Sequence, residues 1–356
     1  MDLFDIVISG KIRKEGGGDV SVDALNVTEN GVYTASSGHA YSPVTVSVPQ
    51  GVFPSGTLSI TSNGVYDVGS FASADVNVSG GGGISADDIA LRTISGAVGG
   101  SASQIVGYAF YNCKLISAAS FPSTMSIAEY AFWACDNLSE IYAPSVSYVG
   151  SSAFFGCDSL RQINLPSVTR IEVSAFMNCK SVSEIYAPIL ENAGSYAFAS
   201  TLISEANFPS LIYANLNVFA NCSHLTTVSL PKVSAIATGM FNHCSSLANI
   251  VALSARWVDA NAFSYCSALS WASFASASRI ASSAFLSCTA FMSLYLLSTS
   301  VVSLANKNAF AYTPMSLSSY TGTFGSIYVP ASLVDSYKTA TNWSVYADRI
   351  TSYVEE

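Results

Sequence analysis

The sequence predicts a β-rich α/β solenoid, a repeat array of about ten 22-residue units preceded by two small β modules. Three observations carry that reading. A phenylalanine recurs at Phe110, Phe132, Phe154, Phe176, Phe198, Phe219, Phe241, Phe263, Phe285 and Phe310, in steps of 22, 22, 22, 22, 21, 22, 22, 22 and 25 residues. A fixed period in this range marks units that bury their apolar side only against their neighbours. Small or apolar residues then fall six, nine and eleven places after the phenylalanine, as in Leu138, Ile141 and Ala143, an inward-pointing strand pattern. A proline follows at Pro122, Pro144, Pro166, Pro188, Pro209 and Pro231 and ends the strand where its missing N–H does least harm.

In chain order, residues 1–19 read as a short arm with a plausible opening helix, closed by Gly16, Gly17 and Gly18. Asp2 and Asp5 stand where a secretory signal needs positive charge, so no signal is expected here. Two copies of a smaller repeat come next, LNVTENGVY at 25–33 and LSITSNGVY at 58–66, each running on into an alternating strand. Asn-Gly between β-branched runs signals a tight hairpin, because both residues tolerate positive φ. These are the two β modules, 20–50 and 51–80, followed by a flexible glycine linker at 80–83.

Residues 84–324 form the solenoid. Its first unit is degenerate, as expected of a terminal repeat with one face in water. Within the regular units a second apolar pair, such as Val146 and Val149, marks the return run. The Ala-Phe pair then begins a tight helical turn with phenylalanine as the core plug. Residues 325–356 close the array, with Ile327 and Val329 on a last strand and a short helix expected over 333–339.

Composition narrows the function. Half of the 356 residues are apolar, 10% are charged, and the formal charge is −9. Phosphate binding needs clustered Lys and Arg, so nucleic acid is not an expected partner. Anionic membrane surfaces are disfavoured for the same reason. No stretch approaches the length of apolar chain needed to span a membrane, and the closing SYVEE carries no anchoring motif, so no membrane insertion is expected.

The units, which read roughly LxxIxLPxxVxxIGxxAFxxC, resemble the BspA-type leucine-rich repeats of bacterial surface proteins over residues 90–310. Val218 and Met240 depart from the pattern in place of Ala, and Leu253, Ala275 and Leu297 in place of Pro. The resemblance implies binding of macromolecules at surfaces without catalysis. The two NGVY modules resemble segments of bacteriophage tail and baseplate proteins. That likeness implies attachment of residues 1–80 to other virion proteins or to a second copy.

All eight cysteines stand three places after a phenylalanine: Cys113, Cys135, Cys157, Cys179, Cys222, Cys244, Cys266 and Cys288. A disulfide framework, or a metal ladder with His224 and His243, is the alternative to buried free thiols. Parallel Cβ vectors in stacked units disfavour the bridges, and one Cys per unit is unlike a paired zinc site. The expectation is eight free thiols acting as small apolar residues, with no metal. No nucleophile, zinc, phosphate-loop or calcium motif occurs, so neither an enzyme nor a cofactor is expected.

Candidate ligand contacts lie eight and ten places after the phenylalanine, on the face expected to be concave: Glu140 and Tyr142, Gln162 and Asn164, Glu184 and Tyr186, Glu205 and Asn207, with Trp271 and Tyr295 later. Carboxylates, amides and aromatic rings on a rigid sheet suit glycan hydroxyls or a polar protein surface. Equally, any outward strand face is polar and Tyr is a good β-former. A second candidate is the stripe Tyr111, Trp133, Phe155 and Met177, one place after the phenylalanine, which either makes a protein contact or tucks under the next turn. Two functional classes follow. One is a tail component of a virion that recognises a host surface glycan or protein. The alternative is an extracellular adhesion or interaction protein of a bacterial cell surface.

Overall fold

The computed structural model describes residues 103–105, 107–316 and 325–353 in full, and before them the backbone of short strands only. Among those strands, Gly10–Lys14 pairs antiparallel with Asp19–Val22, so the chain there is extended rather than the expected helix. Gly56–Ile60 lies parallel to both Tyr33–Ser36 and Ala74–Val78. The Asn30-Gly31 and Asn63-Gly64 turns and the glycines at 80–83 lie outside the described residues.

The chain forms two compact units, residues 1–171 with 175–182, and residues 172–174 with 183–356. From residue 103 on, each is a parallel β-solenoid whose turns carry one strand of three to five residues and one of two. In the first unit Ala118, Ala119 and Ser120 stand opposite Glu140, Ile141 and Tyr142. Tyr148–Val149 likewise stands opposite Arg170–Ile171. The inward residues Leu138, Ala143, Val146 and Val149 are fully buried, as their spacing requires. Of the three turns without proline, those of Ala275 and Leu297 carry strands of four residues, Trp271–Phe274 and Ser293–Leu296, while that of Leu253 keeps three, Asn249–Val251. The Leu297 N–H then donates to the Phe274 carbonyl at 2.9 Å, a bond that proline could not make.

The phenylalanines form the spine of each core. In the first unit the rings of Phe110, Phe132, Phe154 and Phe176 stack in sequence, with centroids 4.8, 5.0 and 5.0 Å apart. In the second, the Phe198–Phe219 and Phe219–Phe241 pairs are both 5.7 Å apart. Each buried ring contributes roughly 1.5–3 kcal/mol of apolar burial before stacking is counted.

From Phe110 to Phe285 the turn that holds the phenylalanine is not helical, and this corrects the α/β expectation; Phe310 ends a 3-10 segment. Among the described residues the α-helix is confined to Val334–Thr339, beside 3-10 segments at 307–310, 331–333 and 344–349. Instead, the residues two before and two after the phenylalanine adopt left-handed backbone. Tyr130 and Ala134 around Phe132 have φ of 55° and 53°, and Asn261 and Tyr265 around Phe263 have 57° and 63°. For a residue with a Cβ this conformation costs on the order of 1 kcal/mol. A ladder between turns holds it. The N–H groups of Tyr130, Phe132 and Ala134 donate to the carbonyls of Ser151, Ala153 and Phe155 at 2.9, 2.6 and 2.8 Å. A continuous helix would turn these donors into its own segment and leave successive turns unlinked.

The cysteines complete this arrangement and are more than small apolar residues. All eight are free and buried. Cys157 Sγ donates to the Phe132 carbonyl at 3.1 Å and Cys179 Sγ to that of Phe154 at 3.0 Å. Cys244, Cys266 and Cys288 repeat the contact at 3.1, 3.0 and 3.0 Å. In the repeat of Phe198, which has no cysteine, Thr201 takes that place and donates at 2.8 Å to the carbonyl of Phe198 in its own turn, where the cysteines reach the phenylalanine of the turn before. Position three therefore asks for a compact donor. Burial pushes the Cys222 thiol up to about 11 and the Cys288 thiol up to about 12.

Serine and threonine have a comparable role outside the core. Ser139 Oγ donates to the Ser117 carbonyl, Ser147 Oγ to Met125 and Ser278 Oγ to Arg256, at 2.9, 3.1 and 3.0 Å. Each bond spans one turn, so the hydroxyl-rich composition is part of the scaffold. The array ends on a cap whose side chains replace a missing strand. Trp343 Nε1 donates to the Val302 carbonyl at 2.6 Å, Asn342 Nδ2 to Leu304 at 2.8 Å, and the Val302 N–H donates to Tyr337 Oη at 3.0 Å. These groups satisfy an edge that would otherwise pair with another chain.

Candidate functional site

The strands Glu140–Tyr142 and Gln162–Asn164 place their first and third side chains in water and the middle one in the core. In the first unit Glu140, Tyr142, Gln162 and Asn164 are all exposed, Tyr142 by 59%. They are brought together around a depression of about 450 Å³. Its floor includes Ala118 and Ser120, which stand opposite Glu140 and Tyr142 in the parallel register. Two small residues at positions filled by Glu and Tyr one turn later therefore create the hollow. Sequence reasoning missed Ala118 and Ser120 because it looked for functional side chains, and the signal was their lack of bulk.

One carboxylate, two side-chain amides and one phenol surround this floor. Such a set can accept and donate hydrogen bonds while the tyrosine ring gives an apolar face. It contains no histidine and no second carboxylate, so the described walls offer no acid–base pair for proton transfer.

In the second unit Glu184, Tyr186, Glu205 and Asn207 are exposed, Tyr186 by 58%. Glu205 and Asn207 stand opposite Thr227 and Ser229. Trp271 and Tyr295 are half-buried, their rings edge to face at 6.5 Å. Tyr295 also stacks on Tyr328 of the closing strand at 4.7 Å. Tyr328 is a further residue that the sequence reading passed over, although SIYVP at 326–330 echoes EIYAP at 140–144.

The stripe residues Tyr111, Trp133, Phe155 and Met177 are half-buried, and three of them form a stack of their own. Tyr111 lies 4.6 Å from Trp133 and Trp133 lies 6.0 Å from Phe155, with rings nearly parallel. A second stack, Tyr108 on Tyr130 at 4.9 Å, runs beside it. Much of the apolar surface of the stripe is thus used between turns.

Comparison with known proteins gives the family. The profile of the BspA type leucine rich repeat region matches residues 103–224 and 212–329, in six copies. A leucine rich cell surface protein from Faecalibacterium prausnitzii is 15% identical, over 88% of this chain and 94% of its own, with a TM-score of 0.42. A leucine-rich repeat protein from Bacteroides ovatus is 16% identical, over 90% and 97%, with a TM-score of 0.42. The pneumococcal vaccine antigen PcpA is 11% identical, over 97% of both chains, with a TM-score of 0.39. No curated protein sequence matches. The family match spans well over half of the residues, and this chain belongs to the BspA type leucine rich repeat family.

Proposed function

We propose that this chain is a non-catalytic binding protein of the bacterial cell-surface kind, holding a glycan or a protein loop against the outward faces of its strands. The observation that carries the reading is the depression between Glu140, Tyr142, Gln162 and Asn164 over the floor of Ala118 and Ser120. Rigid, shallow and lined by hydrogen-bonding groups beside an aromatic ring, it has the chemistry of a recognition site. Membership of a repeat family typical of binding proteins supports the same view. The tail reading depends on residues 1–80, which the family match, beginning at residue 103, does not reach.

Arrays of host glycans and host surface proteins, probed with the full chain and with a Glu140→Ala, Tyr142→Ala double variant, test the reading. Loss of a specific ligand by the double variant, at unchanged melting temperature, is the expected result. Equal binding by both would place the site elsewhere, and the stack at Trp133 would be the next candidate.

A further inference from the structure

The second unit carries another exposed site, on the row of two-residue strands. Trp257 is 47% exposed at the outward position of Trp257–Val258. In the parallel register it stands between Ala235 on one side and Arg279 on the other. Arg256, the preceding residue, is exposed as well. In the sheet the position of the indole thus has Arg279 on one flank and the small Ala235 on the other, with Arg256 the preceding residue of the chain.

Neither guanidinium meets a carboxylate among the described residues. In a chain of net charge −9 this is a locally positive patch. Asp259, the nearest acid along the chain, stands two residues beyond Trp257 and is partly buried. The scaffold beneath is fixed. The Arg256 carbonyl accepts from the Ser278 N–H at 2.8 Å, from Ser278 Oγ at 3.0 Å and from the Arg279 N–H at 3.3 Å. The Ser278 hydroxyl spends its proton on that bond, so its oxygen is left to accept from a ligand hydroxyl.

The first unit supplies a comparison. Its equivalent positions hold Tyr148 and Arg170 in the same register, but Ser147 stands where the second unit has Arg256. The paired guanidiniums belong to the Trp257 site.

From these features we propose that Arg256, Trp257 and Arg279 bind a carboxylate-bearing sugar, such as a sialic or uronic acid residue of an acidic glycan. The ring of the sugar lies on the indole over the Ala235 flank, and the guanidiniums grip its carboxylate through charge-assisted hydrogen bonds. A flat platform of side chains suits this occupant better than a peptide strand. The strand of Trp257 lies between two paired neighbours, so its backbone has no free edge for a peptide to join.

Binding of the full chain to sialyllactose, to a glucuronate-containing hyaluronan tetrasaccharide and to neutral lactose tests the proposal and separates the two acid sources. One or both acidic sugars should bind at least about tenfold more tightly than lactose, and weaken as salt rises. Trp257→Ala, and separately the pair Arg256→Gln with Arg279→Gln, should each weaken that binding about tenfold or more, with melting unchanged because all three side chains are exposed. Tyr142→Ala should leave it intact, which keeps this site distinct from the depression in the first unit. Equal binding of lactose, failure of both acidic sugars, or full retention by either Trp257→Ala or the arginine pair variant would overturn the proposal. So would an acidic glutamate-rich peptide that binds the site more tightly than either sugar.

Discussion

The two units repeat one motif and dress it differently. In the first, the phenylalanine rings are 4.8 to 5.0 Å apart, the next position carries Tyr111, Trp133 and Phe155, and the fourth position after the phenylalanine carries ion pairs. Lys114 meets Asp136 at 3.0 Å and Lys180 meets Asp158 at 2.9 Å. In the second, Ala199 and Ala220 follow the phenylalanine, and Ser223, Ser245 and Ser267 take the charged position. Its rings stand 5.2 to 5.7 Å apart, with Phe208 packed against both Phe198 and Phe219. The period thus specifies the inward residues, while outward residues vary from turn to turn. Binding chemistry therefore belongs to particular turns and not to the repeat.

The largest effect expected is on the spine. Phe154→Ala, flanked by two stacked rings, should lower stability by about 3–5 kcal/mol. Phe219→Ala should fall toward the lower end of that range, because Phe208 lies 5.7 Å away and can relax toward the gap. Denaturant unfolding of both variants checks the order, and an equal or reversed order would show that the second unit is packed as rigidly as the first.

The cysteine row should respond next. Cys157→Ala removes one of two donors to the Phe132 carbonyl, the Cys135 N–H being the other, and should cost about 1 kcal/mol, whereas Cys157→Ser keeps a donor and should cost less. Thr201 shows that a hydroxyl is accommodated at this position, although its own bond stays within the turn. Serine no better than alanine would mean that the thiol acts through its bulk alone.

The same burial sets a pH dependence. With folded thiols raised to about 11 at Cys222 and about 12 at Cys288, the protonated thiol is the form that the native state favours. The unfolded chain loses that proton near pH 8.5–9, so this stability is complete below that range. It falls as pH rises from there through the folded values. Melting temperature measured from pH 8 to 11 should decline, and less steeply in a Cys222→Thr variant. Thiol titration should find eight free groups, reactive only on unfolding.

How much of this could be read from the chain depends on what each residue type reveals. Phe132, Leu138, Ile141 and Pro144 announce plug, strand and stop, because their chemistry admits few other places. The closing helix at Val334–Thr339 was legible in the same way. The left-handed backbone at Tyr130 and Ala134 was not, since neither is a residue that favours positive φ and only the ladder to the next turn holds them there. Cysteine looked apolar because its S–H is a weak donor in isolation, and its partner carbonyl lies 25 residues away. The hollow was hidden because Ala118 and Ser120 matter by what they lack.

The smallest effect expected concerns the exposed pairs that distinguish the first unit. Asp136→Asn should change stability by no more than about 1 kcal/mol, and salt should remove most of that. A larger loss would mean that the charges at this position hold neighbouring turns together, as the serine hydroxyls do elsewhere.

The central claim is that the depression in the first unit is a binding site made by small residues. Filling it tests this most directly. Ser120 is exposed on the floor, so Ser120→Trp should occupy the hollow without entering the core. Binding of the ligand found on the arrays should be measured for this variant beside the parent chain, with melting followed in parallel. Binding should be lost while melting is unchanged, and binding at the parent affinity would show that the hollow is not the site.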